Sequence, residues 1–191
     1  TISSAENVFH GPYGGCAGGL FGSMQGGFVY GVKLENVRID VSDFQGNSYS
    51  EAGGIAAVIN SSYLKDCSVS GEIAAVGAAG GIAGSVHWGY LENCAFSGTV
   101  TAREDMQEYA MTSESVGAGG IAGYCGCPQS FTFAQVSIVG CRAEGSVSAV
   151  KNAGGIVGYL WGKESVKDNL FDGETSGENA ADDFGKVQER A

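Results

Sequence analysis

Proline is nearly missing from this chain, at 2 of 191 residues, and positive charge is scarce, with 10 Lys and Arg against 21 Asp and Glu. So few prolines leave almost every amide free to donate, as strands stacked on both sides require. A formal net charge of −11 and the lack of any basic patch exclude a nucleic-acid binder, because holding phosphates takes clustered Lys and Arg. Long hydrophobic runs are also missing. The apolar stretches are short and glycine-broken, so neither a membrane span nor a signal peptide is read. Histidine is limited to His10 and His87 with no HExxH, which excludes that metalloprotease chemistry. Cys125-Gly126-Cys127 is half of a metal clip, and no second CxC or CxxC completes it. Neither a metal nor a cofactor is expected.

What the chain has in quantity is glycine, 33 residues, without the Gly-X-Y period of collagen. The glycines fall in a recurring phrase: AGGLFG from Ala17, AGGIAA from Ala52, AGGIAG from Ala79, AGGIAG from Ala118 and AGGIVG from Ala153. The intervals are 35, 27, 39 and 35 residues. Recurrence of this kind marks a stacked repeat protein, in which units too small to bury their own apolar face share one core. A second phrase follows each first one: LENVRIDV from Leu34, LKDCSVSG from Leu64, LENCAFSG from Leu91, IVGCRAEG from Ile138 and VKDNLFDG from Val166. The 27 residues from Leu64 to Leu91 are the bare repeat. Longer units carry insertions, read at 25–31, 102–115 and 126–134.

Aligned by phrase, Leu20, Ile55, Ile82, Ile121 and Ile156 share a position. Two residues on stand Gly22, Ala57, Gly84, Gly123 and Gly158, and two further stand Met24, Ile59, Val86, Cys125 and Leu160. Apolar residues at a period of two make a strand with one buried face, so the isoleucine column is predicted to be core. In the second phrase Asn36, Asp66, Asn93, Gly140 and Asp168 form a column of residues that tolerate positive φ, and the apolar parity flips there. A tight corner is predicted at that column. Another is predicted at Gly71, Gly98, Gly145 and Gly173, where the first copy has Val41. The fold class is therefore all-β, a parallel β-helix of about five rungs with about three short strands per rung. Residues 1–177 form this single domain. Residues 178–191 break the repeat and read as a polar C-terminal tail or cap leading to the next domain. A start at Thr1, mid-repeat, goes with a segment of a longer polypeptide.

Cys67, Cys94 and Cys141 fall in one inward column with Val37 and Asn169, and Cys125 falls in another. They read as reduced, buried small hydrophobes rather than disulfide partners. Cys16 and Cys127 stand outside those columns. The column Glu35, Lys65, Glu92, Val139 and Lys167 alternates in sign between neighbouring copies, as an external ion-pair ladder would. Acids also gather at Glu104, Asp105, Glu108 and Glu114 and again towards the C-terminus. Solvated charge is the plain reading of both groups, and calcium is the alternative. Glu144 and Asp172 are adjacent acids of one column, with Glu174 nearby. Polysaccharide-cleaving enzymes work with converging carboxylates, so this pair is where such chemistry would sit. Exposed acids are the simpler reading, and no catalytic residue is assigned.

Aromatic residues concentrate after the first strand of each unit: Phe28 and Tyr30, Tyr63, then His87, Trp88 and Tyr90, then Phe131 and Phe133, then Trp161. Tyr124 and Tyr159 lie beside them on the outward parity. Packing over a glycine-rich corner is one reading. The other is a contact strip, with Tyr63, Trp88, Tyr90, Phe131, Phe133 and Trp161 as its binding residues.

The phrase GG[IL]xG, then a variable turn, a strand ending in Cys or Val and a glycine corner, resembles the GLUG motif. That repeat belongs to non-catalytic regions of IgA1-specific peptidases and other large bacterial surface proteins. The resemblance covers residues 14–177, with departures at Ala57 and Asn169. It implies a non-catalytic structural or adhesive module of an exported bacterial protein, at the cell surface or outside the cell. Its implied partners are neighbouring domains of the parent chain, a host protein or a glycan. The alternative is a glycan-active β-helix, a lyase or hydrolase using acids near Glu144 and Asp172.

Overall fold

Stacked strands that satisfy every amide from the neighbouring rung are what the chain builds. The computed structural model describes residues 8–11, 14–42, 50–103, 117–126, 135–161 and 165–188, and all regular structure among them is strand. Each turn passes through four sheets, here A to D. Sheet A stacks Gly14–Gly18, Glu51–Gly53, Ala78–Gly80, Gly117–Gly119, Asn152–Gly154 and Asn179–Ala181. Sheet B stacks Phe21–Gln25, Ala56–Asn60, Ala83–Val86, Ala122–Cys125, Val157–Trp161 and Phe184–Gln188. Sheet C stacks Phe28–Tyr30, Ser62–Lys65, Gly89–Glu92, Val136–Val139 and Ser165–Lys167. Sheet D stacks Lys33–Val41, Ser68–Ala75, Ala95–Ala102, Arg142–Ala149 and Leu170–Ser176. All of these pairings are parallel, so the molecule is a parallel β-helix. One antiparallel strand, Val8–Gly11, pairs with Gly14–Gly18 at the first edge of sheet A.

The corner expected at Gly71, Gly98, Gly145 and Gly173 does not divide the rung, because each of these glycines lies inside an unbroken strand of sheet D. The glycine phrase itself bends instead, and the expected three segments per rung become four. At the bend both Ile82 N and Ala83 N donate to the Ile121 carbonyl, each at 3.0 Å. The glycine pair is required there by close approach. A Cβ on Gly81 would lie 2.2 Å from the Gly120 carbonyl oxygen and 2.2 Å from the Phe96 ring. Immediately after the bend, Ile55, Ile82, Ile121 and Ile156 are 0% exposed and stand in successive rungs of one core. The small-residue column beside them brings two walls together: a Cβ on Gly123 would meet the Ala79 amide nitrogen at 2.6 Å.

The corner before sheet D has positive φ throughout, at Asp66 (52°), Asn93 (52°), Gly140 (66°) and Asp168 (58°). In the first rung, however, the corner is Gly31 (φ 66°) and not Asn36. The ladder pairs Val29 with Leu64, Tyr30 with Lys65 and Leu34 with Val69. Asn36 (φ 54°) is the extra residue of a β-bulge between Leu34 and Val37, and Val37 then stands opposite Gly71. Matching the two leucines of the second phrase misplaces this rung, since hydrogen-bond register is set by the ladder and not by similarity of wording. Three expectations change with it. Val37, not Val41, is the first-rung counterpart of Gly71. No insertion occupies 25–31; the first unit's extra length is Asn36 together with a stretch inside 43–49, outside the described residues. Val32, not Val37, precedes Cys67 in the cysteine column.

That column is a hydrogen-bonded stack. The Cys94 and Cys141 thiols point at the Leu64 and Leu91 carbonyls, each at 3.7 Å. Asn169 replaces the next cysteine and keeps the pattern: its amide donates to the Ile138 carbonyl at 2.9 Å, and its Oδ1 accepts from Cys141 N at 2.8 Å. All five described cysteines are free, and Cys67, Cys94, Cys125 and Cys141 are buried. The Cys141 thiol and burial push Cys94 up to about 12. Cys127 lies outside the described residues.

Past Gly177 the repeat does not stop. Asn179–Ala181 and Phe184–Gln188 add a further strand to sheets A and B, with Asn179 opposite Asn152 and Val187 opposite Leu160. Residues 179–188 are thus a degenerate sixth phrase rather than an irregular tail.

Candidate functional site

Outward-facing positions of sheet C line up one residue per rung as Phe28, Tyr63, Tyr90, Ser137 and Ser165. The column follows from parity: each residue precedes the buried Leu64, Leu91 or Ile138, or its equivalent Val29 or Val166. Three rings therefore step along the axis, with centroids 5.0 Å apart between Phe28 and Tyr63 and 6.0 Å between Tyr63 and Tyr90. Phe28 is 61% exposed and Tyr90 47%.

Beside this ladder runs a groove of about 790 Å³, walled by Tyr63, Trp88, Tyr90, Glu92, Gln135 and Ser137 among others. Its volume falls in the range of ligand clefts. The single carboxylate among its described lining residues is Glu92, and it is neutralised in place: Lys65 Nζ lies 2.7 Å away and the Tyr63 hydroxyl donates to its other oxygen. Those two bonds, Lys65 first, hold the Glu92 carboxyl below its ordinary range, and the bond to Glu92 lifts Lys65 above its own. The ion-pair ladder expected on this column is only this one pair. Glu35 instead bonds Lys33 along its own strand at 2.6 Å, because the register sets Tyr30 opposite Lys65.

The expected single aromatic strip divides in two. Tyr63, Trp88 and Tyr90 gather at the sheet C groove. Trp161 belongs to a second strip on sheet B, where Tyr124 and Tyr159 stack at 5.7 Å and Tyr159 meets Trp161 at 6.3 Å. Lys186 lies over the Tyr159 ring, 5.9 Å from its centroid, a cation–π contact. This strip is closed: Tyr124 is 4% exposed and Tyr159 0%. Phe131 and Phe133 lie outside the described residues, as do Glu104, Asp105, Glu108 and Glu114. Ser137 and Gln135 were not foreseen as lining, although Ser137 could be found by extending the second phrase one residue upstream.

Two further clusters bear on chemistry. Glu144 and Asp172 pair in register on the outer face of sheet D, and Asp172, with its side chain largely in solvent, lies 3.9 Å from Arg142. In sheet A the buried Glu51 accepts from the Ser85 hydroxyl and, at 3.7 Å, from the Cys16 thiol. Burial and the neighbouring carboxylate push Cys16 up to about 12, the opposite of what a thiolate nucleophile needs. Among the described residues no three His, Cys, Asp or Glu side chains converge as a metal site would, and no helix is long and apolar enough to cross a membrane.

No family model, curated protein or solved structure matches this chain.

Proposed function

We propose that this chain is a non-catalytic structural and adhesive module, a rigid spacer that offers the sheet C groove to a partner. The observation that carries this reading is the exposed ladder Phe28, Tyr63 and Tyr90 beside a groove whose one carboxylate is tied to Lys65. A rigid sheet fixes such a ladder at little entropic cost on binding. General acid–base cleavage asks for two carboxyl groups facing one bond, and the groove wall supplies one. The setting at the surface of a bacterium, within a larger exported protein, rests on the GLUG resemblance of residues 14–177 and on nothing else.

The test is an end-group assay of the full chain incubated with neutral and anionic polysaccharides, with Glu144→Gln and Asp172→Asn alongside. No new reducing or unsaturated ends are expected. Turnover that disappears in those two variants would replace this reading with a glycan-cleaving enzyme.

A further inference from the structure

Building on the reading of the sheet C groove as a binding site, we infer that its ligand is an uncharged glycan chain lying along the helix axis. The three central strands that floor the groove, Ser62–Lys65, Gly89–Glu92 and Val136–Val139, each pair with a strand on both sides. Their main-chain donors and acceptors are thus already used, and a peptide cannot join here as an added strand. Recognition falls to side chains alone. Those side chains are ring faces and edges (Tyr63, Trp88, Tyr90), a hydroxyl (Ser137) and an amide (Gln135).

Charge narrows the ligand further. The protein carries −11 overall, yet the groove's carboxylate is compensated by Lys65 and Tyr63. Among the described lining residues there is no cation to hold a uronate or phosphate, and no uncompensated anion to hold an ammonium. A sugar ring matches this surface, with an apolar C–H face to lie on an aromatic ring and a rim of hydroxyls for Ser137 and Gln135. A pyranose unit is about as long as one rung is high, roughly 4.8 Å. Successive sugars would therefore meet Phe28, Tyr63 and Tyr90 in turn and reach the hydroxyls of Ser137 and Ser165 beyond them.

Affinity electrophoresis of the full chain through gels containing galactomannan, mixed-linkage β-glucan or polygalacturonate tests this. Retardation by at least one neutral polymer is expected, changing less than about twofold when salt is raised, since screening acts only on uncompensated charge. Tyr90→Ala should weaken it about tenfold or more, the loss of one aromatic anchor. Tyr90→Phe, which keeps the ring, should retain it, and cooperative unfolding within about 4 °C of wild type establishes that both variants are folded. Retardation by polygalacturonate alone, by none of the polymers, or equally in wild type and Tyr90→Ala overturns the inference. Cleavage of a bound neutral polymer would leave the glycan assignment standing and remove the non-catalytic reading. A protein ligand that competes at Tyr90 while every glycan fails would do the reverse.

Discussion

The outer faces of sheets B and C carry the same kind of residue in the same kind of place, and only one of them is open. On sheet B, Tyr124 and Tyr159 stack with Trp161 and are sealed from solvent. On sheet C, Phe28 and Tyr90 flank Tyr63 and stay about half exposed or more. In a solenoid, strand parity decides whether a side chain points into the core, but it does not decide whether an outward one meets water. An outward aromatic on a closed face is a second core; on an open face it is a surface for a ligand.

The sharpest way to break that distinction is to truncate one ring of the closed face. Tyr159→Ala should cost about 3–5 kcal/mol, the range for removing a large buried ring, and so match or exceed Ile121→Ala at about 2–5 kcal/mol in the true interior. Urea unfolding of both variants measures this. A loss at Tyr159 no larger than that of a surface substitution would make the two faces equivalent. Next in size is the corner that leads out of sheet C. Asn93 holds φ 52° and donates to Asp66 Oδ1 at 3.2 Å. Asn93→Val should lose about 1–3 kcal/mol through backbone strain, while Asn93→Gly should recover most of it. Equal stability of the two variants would remove strain as the cause.

Much of this architecture is legible in the phrases; the number of segments per rung is misread throughout, and the register is misread at the two ends of the stack. The isoleucine column, the positive-φ corner and the cysteine column repeat because every middle rung has a neighbour on both sides. A Cβ on Gly98 would sit 1.9 Å from the Gly71 carbonyl, in the preceding rung. No described strand stacks beneath Lys33–Val41 in the first rung, and there the position is Val37, so the glycine signal vanishes and the bulge at Asn36 goes unseen. At the other end, a Cβ on Gly155 would meet the Asp182 carbonyl at 2.1 Å. No described strand stacks beyond Asn179–Ala181, so Asp182 carries a side chain freely and the sixth phrase is disguised. The groove was half legible. Its rings could be aligned, but whether Trp161 joined them depended on which of two sheets it enters, and that is set by a bend the phrases do not mark.

A gentler probe concerns the polar part of the open face. Glu92 is held below its ordinary range by Lys65 and then Tyr63. A depressed carboxyl contributes stability above its unfolded pKa and loses it as pH falls through the folded value. Wild type should therefore lose melting temperature on acidification through and below the ordinary glutamate range, and Glu92→Gln should flatten part of that slope. The effect is expected to be small, because exposed pairs contribute little and should shrink further in high salt. Identical slopes in the two proteins would show that the pair does not couple to folding.

The smallest effect expected is also the one that most directly separates the two faces. Tyr90 keeps 47% of its surface in water and meets Tyr63 edge-on at 6.0 Å. Cross-strand pairs of this kind contribute about 0.2–1 kcal/mol, and the buried half of the ring adds little that a neighbouring side chain or water cannot replace. Tyr90→Ala should thus shift unfolding free energy by less than about 1 kcal/mol, several-fold below Tyr159→Ala, although the two residues share type and outward parity. Parallel urea titrations supply the comparison in one measurement. A Tyr90→Ala loss equal to that of Tyr159→Ala would mean that the sheet C ladder is structural packing, and the groove would then need another reason to exist.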